Sequence, residues 1–145
     1  MDKIFFKPGQ HSTKEIEAFM DGLCDNLFIN DTYYGNLNIA LITISDLLAA
    51  CGQNSNIGLE YGTDHKLLFI HIDNIDSEIY KRLKTDKLED DRQNEMEVLK
   101  HVCNSIDFHN DDLILSFDIA AVHDSIFKYR LKLMQEYFNK VKVNS

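Results

Sequence analysis

A chain of 145 residues with an apolar share of 44% and a charged share of 27% is sized and composed for one globular domain able to bury its own core. A formal charge of −9 argues against nucleic acid or an anionic membrane as the main partner, because both are bound through an excess of Lys and Arg. The charge is uneven: residues 122–145 hold five basic and two acidic side chains, a net of +3, which leaves the first 121 residues at −12.

Ile4-Phe5-Phe6-Lys7 reads as a short strand, closed by Pro8-Gly9. Residues this polar and this few do not make a signal peptide. Ser12 or Thr13 can cap a helix from Lys14 to about Asn26, and Ser12 to Glu15 fits the capping-box spacing. Asn30-Asp31-Thr32 and Gly35 read as a break. A second helix then runs from about Asn36 to Cys51, apolar on almost every side, with Gly52 as its stop. Its polar members Asn38, Thr43, Ser45 and Asp46 exclude a bilayer span. This helix is expected to lie enclosed, with Ile39, Ile42, Leu47, Leu48 and Cys51 buried against Leu68, Ile70 and Ile72.

Ile57, Leu59 and Tyr61 alternate with small or polar residues, and Lys66–Asp73 follows across Gly62-Thr63-Asp64-His65, the pattern of an antiparallel hairpin. Ser77 to about Leu83 can form a helix. Residues 84–97 are dense in charge and read as a solvated loop or frayed helix. Met96, Leu99, His101, Val102 and Ile106 mark a further helix, and Ser105–His109 pairs with Leu113–Asp118 across Asn110-Asp111-Asp112. From about Ala120 the chain reads as helical with two apolar stripes. One is Val122, Ile126, Tyr129, Leu133 and Tyr137; the other is Phe127, Leu131, Met134, Phe138 and Val141. All six glycines precede residue 63.

Cys24, Cys51 and Cys103 are odd in number and sit among apolar neighbours, so they read as reduced core thiols of a cytoplasmic protein. His71 and Asp73 share a strand face with no nucleophile evident beside them. His101 and Cys103 are two residues apart, the wrong spacing for paired ligands on a helix, and no metal site is expected.

The element order over residues 4–119 resembles the histidine-kinase-like ATPase (GHKL) fold, in its small anti-sigma-factor and SiaB-like serine kinase branch. The resemblance implies an α+β sandwich: one mostly antiparallel mixed sheet under a layer of helices, with residues 120–145 as an added amphipathic helix. That helix would be part of the same domain or an oligomerisation element. The family carries an acid and an Mg²⁺-holding amide on the buried helix. Aligning on Gly52 puts Thr43 and Leu47 there, and aligning on Asp46 puts Asp46 and Ala50 there, so neither register leaves a metal ligand. The family's adenine-binding aspartate falls on Asp73, but the glycines that follow it are replaced by Ile75 and Ser77. The glycine-rich turn near the phosphates falls on Asn94-Glu95-Met96-Glu97, where two carboxylates would repel them.

The resemblance therefore implies a non-catalytic regulatory domain with a decayed nucleotide site, of which Asp73, Asp46 and Thr43 are remnants, working without cofactor by binding protein. Phe127, Leu131, Met134, Phe138 and Val141 are the expected partner-binding residues, with a homodimer as the expected assembly. A divergent serine/threonine kinase using ATP with Mg²⁺, and a small-ligand sensor using the former pocket, are the alternatives.

Overall fold

A computed structural model describes residues 3–9, 12–27, 31–64, 66–88, 90–119 and 131–139 of the chain. Five strands form one sheet in the order β1-β2-β3-β5-β4: β1 (Ile4–Phe6), β2 (Ile57–Thr63), β3 (Leu67–Asp73), β4 (Ser105–His109) and β5 (Asp112–Asp118). Every pairing is antiparallel, so the expected mixed sheet is corrected to a purely antiparallel one. Both hairpins that the alternation predicts are present, and β3 joins them by pairing with β5.

Strand β3 shows how the sheet is layered. Leu68, Ile70 and Ile72 are buried, whereas Leu67, Phe69, His71 and Asp73 are only half-buried, the period-2 alternation of a sheet with one face in the core. The buried face meets helices α1 (Thr13–Leu27), α2 (Asp31–Ala50), α3 (Ser77–Lys84) and α4 (Asp90–Val102), whose apolar residues share one core with it.

Helix α2 begins at Asp31, five residues earlier than the turn signals suggest, and Gly35 lies inside it. A helical glycine costs about 1 kcal/mol, which Tyr33 and Tyr34 offset by packing against the core. Leu37, Ala40, Leu41, Ile44, Leu47 and Leu48 are buried at helical spacing. The helix is not enclosed, however. Gly35, Asn36, Ile39, Asp46 and Ala50 form an exposed stripe; Ile39 is 45% exposed, and Ile42 and Cys51 are only half-buried. A single helical layer covers one face of each helix, so even an almost wholly apolar helix keeps an open side. The stop at Gly52 forms as expected: at φ 101° it lets Gly52 N–H donate to Ala49 O (3.1 Å) and Gln53 N–H to Leu48 O (3.0 Å), a Schellman ending.

The charged stretch is helical from Asp90 onward. Met96 and Leu99 anchor it to the core, Arg92–Glu95 pair half-buried beside them, and Glu97–Lys100 pair on its outer side, both at 3.6 Å. Helix α4 ends at Val102, and Ile106 belongs to β4.

The glycine-free half of the chain makes its left-handed turns with Asn and Asp, at Asn74 (φ 59°), Asp86 (56°), Asn110 (50°) and Asp111 (67°). Asn110 and Asp111 are the two loop residues of the β4–β5 hairpin, which takes positive φ at both, as in a type I′ turn. Replacing Asp111 with glycine should therefore stabilise the fold by about 0.5–1 kcal/mol. A melting temperature unchanged or lowered by Asp111→Gly would contradict that.

Candidate functional site

Asp73 ends β3 on the sheet face opposite the helices. Its carboxylate pairs with Lys3 Nζ, and the pair lies across Gly58 of the intervening strand. A Cβ at residue 58 would collide with Asp73 Oδ1 and crowd Lys3 Cε, so glycine is what lets the pair cross β2. Oδ1 itself is buried without a hydrogen-bond partner among the described residues. This carboxylate ties β1 to β3, and it does not share a site with α2.

Thr43 and Asp46 both lie on α2, on the far side of the sheet from Asp73. Thr43 is half-buried, and the exposed Asp46 lines a 240 Å³ hollow between α1 and α2 to which Thr43 does not contribute. The buried hydroxyls beside them are engaged in structure. Ser12 Oγ donates to Gly9 O (2.6 Å) and accepts from Ser45 Oγ (2.8 Å), which in turn accepts the Gly9 N–H (3.0 Å). Each hydroxyl proton in that chain has an acceptor and each oxygen accepts once, so the chain pins the Pro8-Gly9 turn to α2. Ser12 thus does more than precede a helix, as its capping-box spacing with Glu15 had suggested.

Asn94-Glu95-Met96-Glu97 is not a turn. It lies inside α4, so its N–H groups fall within helical backbone pairing, and a phosphate would find no cradle. Between α2, α3 and α4 there remains a hollow of 230 Å³ lined by Cys51, Arg82, Leu88 and Arg92, in which Arg82 Nη2 donates to Cys51 O (3.2 Å). The positions suggested for nucleotide binding are thus distributed over two faces of the sheet and one helix interior, and no single site unites them.

A larger cleft of 350 Å³ opens between α3, α4 and β4. Leu83, Met96, Ile106 and Phe108 make it apolar, and Lys84, Asp86 and Lys100 stand in its wall. Cys103 lies in the same wall, and burial pushes its thiol up to about 12, so it stays protonated at neutral pH and is a packing residue rather than a nucleophile.

Sequence reasoning did not find Gln53. Its buried amide donates through Nε2 to Ser55 Oγ (2.9 Å) and Asn74 O (3.1 Å) and accepts the Asp76 N–H at Oε1 (2.7 Å). One side chain therefore joins the α2–β2 and β3–α3 loops. Gly58 could have been read from its position, because glycine inside a strand often marks a close approach; Gln53 carried no comparable signal.

The partner-binding residues divide. Phe127 and Val141 lie outside the described residues, as do Val122, Ile126 and Tyr129 of the other stripe. Residues 131–139 are helical, and all nine are exposed. Leu131, Leu133, Met134, Tyr137 and Phe138 are 43–65% exposed, with Tyr137 and Phe138 touching edge to face at 5.9 Å. Of the stripe Val122, Ile126, Tyr129, Leu133 and Tyr137, the two described members, Leu133 and Tyr137, are not covered by the domain.

Comparison with protein-family models and with curated proteins returns no match. Among the described residues no helix is long and apolar enough to cross a membrane.

Proposed function

We propose that this domain is a non-catalytic regulatory module that acts by binding protein, with the helix over 131–139 as its binding element and a second copy as its first partner. The observation that carries the reading is that helix: five large apolar side chains within nine residues, all open to water. A contiguous apolar surface of that kind marks an interaction site. The helix itself is electrically neutral, Lys132 against Glu136, but residues 122–145 as a whole carry +3, which favours the −12 body of another copy. The commitment of Asp73 to Lys3 and the helical state of residues 94–97 support the reading of a nucleotide site that has decayed.

Light scattering on the full chain and on a chain ending at Ala121 tests the reading. The body's core lies within residues 6–119, so the shortened form is expected to fold. The full chain should be a dimer at micromolar concentration and the shortened one a monomer. Two monomers of equal solubility would reduce the helix to a tail.

Titration with ATP and Mg²⁺ by calorimetry addresses the kinase alternative. Binding weaker than about 1 mM is expected, because neither register on α2 supplies the amide and no phosphate loop exists at 94–97. A micromolar dissociation constant would reinstate the kinase.

The 350 Å³ cleft favours a second reading, a sensor for a small, mainly apolar ligand, with Leu83, Met96, Ile106 and Phe108 as its floor and Lys84 and Asp86 in its wall. That reading expects such a ligand to raise the melting temperature without changing the oligomeric state.

A further inference from the structure

The cleft between α3, α4 and β4 arises where the helical layer stops short of the sheet's edge. Side chains directly opposite one another in antiparallel strands share a face. Ile106 and Phe108 lie opposite Leu115 and Leu113, which are buried in the core, so β4 turns both towards the helices. Strand β4 is an edge strand, and α4 packs chiefly on α2. Ile106 and Phe108 therefore stay half-buried while their partners on β5 are sealed. Leu83 from α3 and Met96 from α4 complete an apolar hollow of 350 Å³, within the range of small-ligand sites.

Three kinds of group around the hollow favour an aromatic ring over an aliphatic one. The Phe108 ring meets Tyr80 edge to face at 5.4 Å, and being only half-buried it keeps ring surface for a second contact of that kind. Met96 and Cys103 bring two sulfur-bearing side chains to the wall, and sulfur packs favourably against ring edges. The Lys84 ammonium in the wall suits the face of a ring, an attraction that a saturated molecule does not offer. Charge in the wall is mixed. Asp86 stands against Lys84, and Lys100 is already paired with Glu97 at 3.6 Å. An ionised ligand would meet both signs there and gain no net attraction.

We propose that this cleft binds a small uncharged aromatic molecule, its ring against Phe108 and Met96. The inference rests on the reading of the cleft as a ligand site and names the class of ligand. NMR titration of the full chain with matched probes tests it. Benzyl alcohol is the neutral aromatic and cyclohexylmethanol its saturated counterpart, while benzoate and benzylamine carry the same ring with a charge of either sign. Benzyl alcohol should shift the amide signals of Leu83, Met96 and Phe108 and bind roughly threefold or more tighter than cyclohexylmethanol. Neither charged probe should bind tighter than benzyl alcohol. Phe108→Leu keeps an apolar floor without the ring and should bring the two alcohols to near parity; if that variant does not fold, the probes on the unmodified chain decide alone. Equal binding of the two alcohols, tighter binding of a charged probe, or a preference that survives Phe108→Leu would overturn the proposed class and leave the cleft as a ligand site. No shift at the cleft from any probe would overturn both.

Discussion

Truncating Leu48 to alanine is expected to lower stability by about 2–5 kcal/mol, seen as a fall in the urea midpoint with little change in slope. Leu48 is fully buried on α2, in the core shared with Leu68, Ile70 and Ile72. Removing three carbons there leaves a cavity that close-packed neighbours fill only in part. A domain of this size has about 5–15 kcal/mol to lose, so a fraction of the variant should be unfolded on mild warming. Ile39 provides the contrast. It lies on the same helix but is 45% exposed, and Ile39→Ala should shift the midpoint little. Equal losses at both positions would contradict the assigned orientation of α2.

Gln53→Ala should be the most damaging polar change, at about 1–3 kcal/mol. The loss goes beyond the amide's own bonds, because Asp76 N–H and Asn74 O would be left without the partner that now satisfies them. Gln53→Glu separates the two halves of the clamp. It keeps an acceptor for Asp76 N–H and loses both donors, so it should recover only part of the stability. Amide hydrogen exchange at Asp76 should accelerate in the alanine variant and far less in the glutamate one. Unchanged exchange in both would mean that the loops hold without Gln53.

The parts of the fold legible in sequence were those where one local signal stood alone. Leu67–Asp73 alternates cleanly and forms β3; Gly52 stops α2; α3 starts at Ser77 as read, and the structure adds its cap, Asp76 accepting the Glu78 N–H at 3.0 Å. Where signals competed, tertiary packing decided. Asp31-Thr32 and Gly35 look like a break, but Tyr33 and Tyr34 have a core to reach, so the helix continues through them. Charge density over residues 84–97 reads as a loop or frayed helix, but Met96 and Leu99 are enough to seat a full helix from Asp90 whose charges pair with one another.

The candidate site was less legible because it depends on which face a residue occupies. Asp73 and Asp46 look like members of one pocket in a linear alignment, and β3 parity sends Asp73 to the other side of the sheet. The open stripe of α2 escaped for a related reason: an apolar residue such as Ile39 has no sequence mark that says the neighbouring layer ends before reaching it.

The two ends of the sheet limit how copies of this chain can meet. Strand β1 is only three residues long and is followed by Lys7-Pro8, where proline has no N–H to offer a neighbouring strand. At the other edge β4 has five residues, with Asp107 and His109 exposed along it. Short, charged edges of this kind resist lateral strand addition. A second copy therefore has little to gain by extending the sheet sideways into a ribbon. Concentrated solutions of the chain should therefore hold no fibrils built by strand addition at these edges.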